Sequence, residues 1–215
     1  MDVDAYFAEE RAVCPPNSFY GVFLSCKDLT VRYNMGAAFY DGWIFHSFAQ
    51  ANHDTLQYLI ETIPDGTDVI DAGCGTCLLT AGLALAKKDS RIIGYDRSSQ
   101  MIGATRKRIN RLGITNLTVH VYAHHDLPNA DIQEASADYI ISNSVEIFGT
   151  EPLQIYLKLL KPEGHLITDI CGDASERSKI GLAISECGFE KVRESVIQYR
   201  SLPVAYTYFG KKRHR

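Results

Sequence analysis

No stretch of this 215-residue chain stays apolar for anything near the ~18 residues that a bilayer-crossing helix needs, so no membrane association is expected. The opening Met1-Asp2-Val3-Asp4 lacks the basic start of a secretory signal, and a soluble, cytoplasmic protein is the expectation. Excess positive charge is missing as well. Lys and Arg number 22 against 26 Asp and Glu, and the net charge of −4 argues against nucleic acid as the partner of the whole surface. No Gly-Lys-Ser/Thr follows the one glycine-rich stretch, which excludes a P-loop. Internal repeats, low-complexity tracts and linkers are also absent. Of six cysteines, Cys14, Cys26, Cys171 and Cys187 are scattered without metal-binding spacing and read as buried thiols. His124-His125-Asp126 offers ligand types, but adjacent loop histidines tend to diverge and a metal needs at least three converging ligands, so no metal is expected.

What is present is concentrated in Val69-Ile70-Asp71-Ala72-Gly73-Cys74-Gly75-Thr76-Cys77. An apolar run ends in an acid, and two glycines at alternate positions precede a helical pattern that begins at Leu78. Gly73 and Gly75 permit a tight strand-to-helix turn and let a ligand lie against the main chain. Twenty-one residues after Gly75, a second apolar run ends in Asp96, placed to accept hydrogen bonds from a ribose. A dinucleotide fingerprint would need a third glycine where Leu78 stands. Asp71, two residues before the first glycine, suits an ammonium or a sulfonium better than a pyrophosphate. Cys74-Gly75-Thr76-Cys77 has the spacing of a redox pair, but inside this loop we read two small residues beside a ligand.

The stretch resembles the first motif of the class I S-adenosylmethionine-dependent methyltransferases, acid-x-Gly-x-Gly-x-Gly, with Cys77 in place of the third glycine. Asp96 matches the family's second-strand acid, and Arg97-Ser98-Ser99-Gln100-Met101-Ile102-Gly103-Ala104 is similar to its Asp-x-Ser-x-x-Met-x-x-Ala segment. Asp138-Tyr139-Ile140-Ile141-Ser142-Asn143 resembles the fourth-strand motif. Leu159-Leu160-Lys161-Pro162-Glu163-Gly164 resembles the Leu-Lys-Pro-Gly-Gly turn, with Glu163 replacing its first glycine. The matches run in order through residues 67–170.

The resemblance implies S-adenosylmethionine as cofactor, held by Asp71, Gly73, Cys74, Gly75, Asp96, Arg97 and Met101. In the segment after the third strand the family commonly has an acid for the adenine amino group. Aligned on Leu127-Pro128, that position is Ala123, which leaves main-chain groups, His124 or contact with Met101 to hold adenine. Asn143 would border the reactive end. The Asn/Asp-Pro-Pro-Tyr signature of amide- and amino-nitrogen methylation is absent. An alcohol or phenol acceptor needs a base, for which His125 and Glu146 are the candidates.

Strands are predicted at 67–72, 91–96, 117–123, 139–144, 164–171, 191–200 and 204–210, and helices at 77–88, 97–112, 150–161 and 174–187. The alternation implies a doubly wound α/β sheet of seven strands, parallel through five, with the last two as an antiparallel hairpin. Ser98 is the expected N-cap, and Gly113 and Gly188 the expected helix ends. One domain covers 1–215, with residues 67–215 as the cofactor-binding core and 1–66 as an aromatic-rich N-terminal lid that includes one long helix over 43–63. Ala38-Phe39-Tyr40-Asp41 resembles the family's Ala-x-x-Tyr-Asp; Tyr33 and Tyr40 are expected to bond the cofactor carboxylate or position an acceptor. The expected partner is a small-molecule methyl acceptor, and a homodimer is compatible with this reading. Two alternatives stay open. One is a cofactor-binding protein that does not methylate, such as a cyclase, isomerase or regulatory subunit. The other is an RNA- or protein-directed methyltransferase, for which the basic tail Lys211-Lys212-Arg213-His214-Arg215 is the only positive sign.

Overall fold

The computed structural model describes residues 1–14, 26–123, 127, 132–143, 150–170, 174–197 and 205–213. Three helices come first: α1 (Val3–Ala12), α2 (Leu29–Ser47) and α3 (Ala49–Thr62). Strands and helices then alternate as β1 (Asp68–Ala72), α4 (Leu78–Ala86), β2 (Arg91–Asp96), α5 (Ser99–Leu112), β3 (Leu117–Val121), β4 (Ala137–Ser142), α6 (Glu151–Leu159), β5 (Leu160–Ile170), α7 (Ala174–Glu186), β6 (Phe189–Ile197) and β7 (Ala205–Lys212). The strands form one sheet in the order β3-β2-β1-β4-β5-β7-β6. Pairing is parallel from β3 through β5, and β7 runs antiparallel between β5 and β6.

Central strands covered on both faces need apolar residues throughout, which is why β1 and β4 read as continuous runs rather than alternations. Successive side chains of β1 enter two different cores. Val69 packs with Leu56, Leu59, Leu83, Ile92, Ile102 and Ile141 on the face covered by the N-terminal helices, α4 and α5. Ile70 packs with Ile140, Leu153, Tyr156, Leu166 and Phe189 on the opposite face. The chain leaves β1 outward through β2 and β3, then returns to β4 on the other side of β1. That reversal opens a crevice at the carboxyl end of β1, where ligands of open α/β sheets sit.

Helix α5 starts where its capping chemistry directs. Ser98 accepts a hydrogen bond from the Met101 N–H at 3.1 Å, and the helix ends at Gly113 with φ 64°. Two expectations need correction. The predicted helix over 43–63 is two helices broken at Phe48, whose φ of −140° ends α2 and whose carbonyl accepts from the Asn52 main chain and side chain. The Phe48 ring packs edge-on against Trp43 at 4.6 Å, a contact that favours the turn over continuation. Strand β5 begins at Leu160 rather than residue 164, and its pairing with β4 shifts register so that residues 161–164 bulge from the ladder.

The N-terminal segment also builds part of the core. Helix α1 begins at the N-cap Asp2, and its Val3, Tyr6 and Phe7 share the buried core with Leu56, Leu59 and Ile63 from the segment around α3. Both helices press against α4 at Gly82, where a Cβ would lie 2.6 Å from Leu56 Cδ2 and 2.9 Å from Tyr6 Cε1.

Candidate active site

At the end of β1 the chain enters the glycine loop, and the positive-φ residues fall at alternate positions: Gly73 at 90°, Gly75 at 54° and Cys77 at 53°. The loop is tied to β2, because the N–H groups of Gly73 and Cys74 both donate to the Tyr95 carbonyl, at 2.7 and 2.9 Å. Asp96 completes the tie. One carboxylate oxygen accepts from the Gly75 N–H at 2.9 Å and the other from the Ser98 N–H at 2.8 Å. Each oxygen retains a lone pair, and Asp96 lies on the wall of a cavity of about 410 Å³ that opens at this end of the sheet. That size is in the range of small-molecule and cofactor sites.

Asp71 lies deeper on the same wall, fully enclosed, and accepts a hydrogen bond from Thr80 Oγ1 of α4. Burial raises its pKa to about 7 against the Thr80 bond, and the nearby Asp96 charge adds to the rise. Burial also raises the pKa of Asp96, while the Ser98 and Gly75 N–H groups oppose that shift. Cys74 lines the cavity and its thiol is pushed well up, first by burial and then by Cys77. Both Cys74 and Cys77 are free thiols.

The cavity brings together Tyr33, Tyr40, Asp71, Gly73, Cys74, Gly75, Asp96, Arg97, Met101 and Asn143 of the residues singled out from sequence. Ala123 is not on its wall; the preceding Tyr122 is, packed edge-on against Tyr95. His124, His125 and Glu146 lie outside the described residues. From the N-terminal helices, Leu29, Tyr33, Tyr40, Ile44 and Asn52 close one side of the cavity, and Glu151 and Pro152 at the start of α6 close another. The Tyr33 and Tyr40 rings meet edge to face at 6.4 Å.

Sequence reasoning missed a buried charge network behind this loop. Arg108 of α5 donates to Glu10 of α1 at 2.9 Å, to Asp41 of α2 at 2.5 Å and to the Thr76 carbonyl. Thr76 Oγ1 donates to the other oxygen of Asp41 at 2.5 Å, and Arg111 donates to Glu10. Burial works against the charge of Arg108, but Asp41, Tyr6 and Glu10 around it drive its pKa above the ordinary range. A signal did exist. The buried positions of α5 are Met101, Ile102, Thr105 and Arg108, and those of α1 are Val3, Tyr6, Phe7 and Glu10, so each helix carries one charge on its apolar stripe.

The donor set suits a ligand with a vicinal diol and a positive centre. The wall offers a carboxylate whose two oxygens are fixed by main-chain N–H groups, the main chain of the glycine loop beside it, and a second, buried carboxylate. Among the described residues no group of His, Cys, Asp and Glu could hold a metal ion, and no helix is long and apolar enough to cross a membrane.

Comparison with known proteins agrees with this chemistry. The profile of a methyltransferase-domain family matches residues 63–200. Over 127 residues the chain is 29% identical to the ribosomal protein L11 methyltransferase of Thermosipho africanus, an alignment covering 56% of this chain and 45% of that protein, so the chain spans less than half of the relative. Among solved structures, a SAM-dependent methyltransferase from Aquifex aeolicus superposes with TM-score 0.61 at 15% identity, covering 79% of this chain and 93% of the other. A putative methyltransferase complexed with the Trm112 activator of Haloferax volcanii superposes with TM-score 0.68 at 17% identity, covering 85% and 98%. At such identities the two structures establish the fold alone. The profile match over most of the chain identifies this protein as a member of the S-adenosylmethionine-dependent methyltransferase family, with S-adenosylmethionine as its cofactor.

Proposed function

We propose that this protein is a cytosolic enzyme that transfers a methyl group to a small-molecule acceptor bound beneath α2. The observation that carries the proposal is the continuity of one cavity from Asp96 and the glycine loop to Tyr33, Tyr40, Ile44 and Asn52. When bound, S-adenosylmethionine supplies an electrophilic methyl on a sulfonium. Asp96 takes the ribose hydroxyls, the Gly73–Gly75 main chain and Asp71 face the cationic end, and Arg97, Met101 and Tyr122 border the adenine side. Asn143 lies near the reacting end. Tyr33 and Tyr40 orient the acceptor or the cofactor carboxylate, and water exclusion by α2 preserves the alignment that an in-line displacement needs.

The roof is read as α2, which supplies Leu29, Tyr33, Tyr40 and Ile44 to the cavity wall, whereas α3 supplies Asn52 and α1 none. For an acceptor that must lose a proton, His125 and Glu146 remain candidates, joined by Glu151, which lies on the cavity wall. The relative from Thermosipho africanus is by name a ribosomal protein methyltransferase, which keeps a protein acceptor as the second reading.

The test is transfer of a tritium-labelled methyl group from the cofactor into a cell extract separated into small-molecule, protein and RNA fractions. Label in the small-molecule fraction supports the proposal. Label confined to ribosomal protein supports the second reading, and label confined to RNA contradicts both.

A further inference from the structure

Cys77 adopts φ 53° and ψ 34°, the left-handed region, in which a β-carbon crowds the following carbonyl. Its N–H donates to the Cys74 carbonyl at 2.8 Å and its own carbonyl accepts from the Ala81 N–H at 2.8 Å. The residue therefore closes the glycine loop and opens α4 at once. No side-chain cap assists this helix start.

The peptide groups around Cys77 are held from outside the loop. The Gly75 carbonyl accepts from Thr105 Oγ1 at 3.0 Å, the Thr76 carbonyl accepts from Arg108, and the Leu78 carbonyl accepts from the Tyr6 hydroxyl at 2.5 Å. Thr76 is gripped a second time through its hydroxyl on Asp41. The donors come from α1 and α5, and they are themselves buried: Tyr6 is 4% exposed, Arg108 6% and Thr105 0%. Glu10 and Asp41 fix the Arg108 fork, so the orientation of the guanidinium depends on α1 and α2. Neither Tyr6 nor Arg108 lines the cofactor cavity.

We propose that Tyr6, Thr105 and Arg108, the last oriented by Glu10 and Asp41, are positioning residues. They hold Cys77 in its left-handed conformation and so keep Gly73–Gly75 in the shape that receives the cofactor. Helix α1 and the Glu10–Arg108–Asp41 group thereby set cofactor affinity from behind the loop, without lining the cavity. A glycine at position 77 would adopt the same backbone conformation unaided, whereas cysteine needs the neighbouring carbonyls clamped. The proposal rests on the cavity being the S-adenosylmethionine site.

The experiment is a double-mutant cycle on affinity for S-adenosylhomocysteine, read by calorimetry on the full chain, with Tyr6→Phe, Cys77→Gly and the pair. Tyr6→Phe keeps the ring and removes one hydroxyl. We expect it to weaken binding about tenfold, as loss of one buried hydrogen bond would. Cys77→Gly alone should bind at least as tightly as the natural chain, and in its background Tyr6→Phe should cost no more than about twofold. Thr105→Val serves as the second variant, with the same expected loss and the same rescue, should Tyr6→Phe fold poorly. Unchanged affinity in the single variants, or equal losses with cysteine and glycine at 77, would overturn the proposal. A natural chain that binds no S-adenosylhomocysteine would instead overturn the cofactor assignment on which it rests.

Discussion

Asp71 and Asp96 share the cavity wall at the ends of the paired strands β1 and β2, yet they are prepared differently. Asp96 receives two main-chain N–H groups and is held as a rigid acceptor, while Asp71 receives one hydroxyl in a fully enclosed position. Removing Asp96 leaves those N–H groups and the ligand hydroxyls unpaired, so Asp96→Ala should weaken cofactor binding by roughly 1–3 kcal/mol in a calorimetric titration. Asp71 gives a pH signature instead. Its pKa is about 7 in the folded chain against the ordinary 3.8, so the folded state binds more protons between those values. Its contribution to stability is therefore fully present below the lower value and lost as pH rises through about 7. A cationic ligand favours the ionised form, so cofactor affinity should rise over the same interval. Melting curves and titrations between about pH 5 and pH 8 measure both trends. Asp71→Asn should flatten both; retention of the slopes would assign them to another group. The Arg108 network makes a separate demand. Arg108→Met removes the guanidinium shared by the buried Glu10 and Asp41 and leaves Glu10 to Arg111 alone, and chemical denaturation should register a loss of about 3–5 kcal/mol.

At the scale of elements, strands and their order followed from short apolar runs that end abruptly. Val69–Asp71 and Ile92–Asp96 each finish on an acid that lines the cavity at the carboxyl end of its strand, so β1 and β2 were legible to within a residue. Cap chemistry made α5 equally readable from Ser98 to Gly113. The N-terminal helices were harder. Phe48 continues the apolar spacing through a real break, and neither glycine nor proline marks the place. Helix α1 had a signal in Asp2 that went unused, and its core role depends on Gly82, which is distant in sequence. The packing of α3 on α4 gives a direct test. Leu56 is 0% exposed, and Leu56→Ala should destabilise the protein by about 2–5 kcal/mol, read as a lower denaturation midpoint, while a mobile cover would lose far less.

For the whole molecule, the strand-end wall of the cavity was legible in the sequence, and of the wall supplied by α2 and α6 only Tyr33 and Tyr40 were. Asp71, Gly73, Cys74, Gly75, Asp96, Arg97, Met101 and Asn143 converge on one cavity because the motif spacings encode positions at or just after the ends of β1, β2 and β4, and Tyr33 and Tyr40 join them from α2. The grip of Arg108 on Glu10 joins positions 98 residues apart, and no local pattern specifies such a pairing. Helices α2 and α6 reach the cavity wall through packing angles that periodicity does not give. If α2 is the roof, hydrogen exchange over Leu29–Ser47 should slow when cofactor binds, while α1 and α3 should be protected with or without it. The most direct measurement on the central claim is calorimetric titration of the purified protein with S-adenosylmethionine and, separately, with NAD. The account predicts saturable one-to-one binding of the sulfonium compound, weakened in Asp96→Ala, and no binding of NAD; saturable NAD binding with none of S-adenosylmethionine would contradict it.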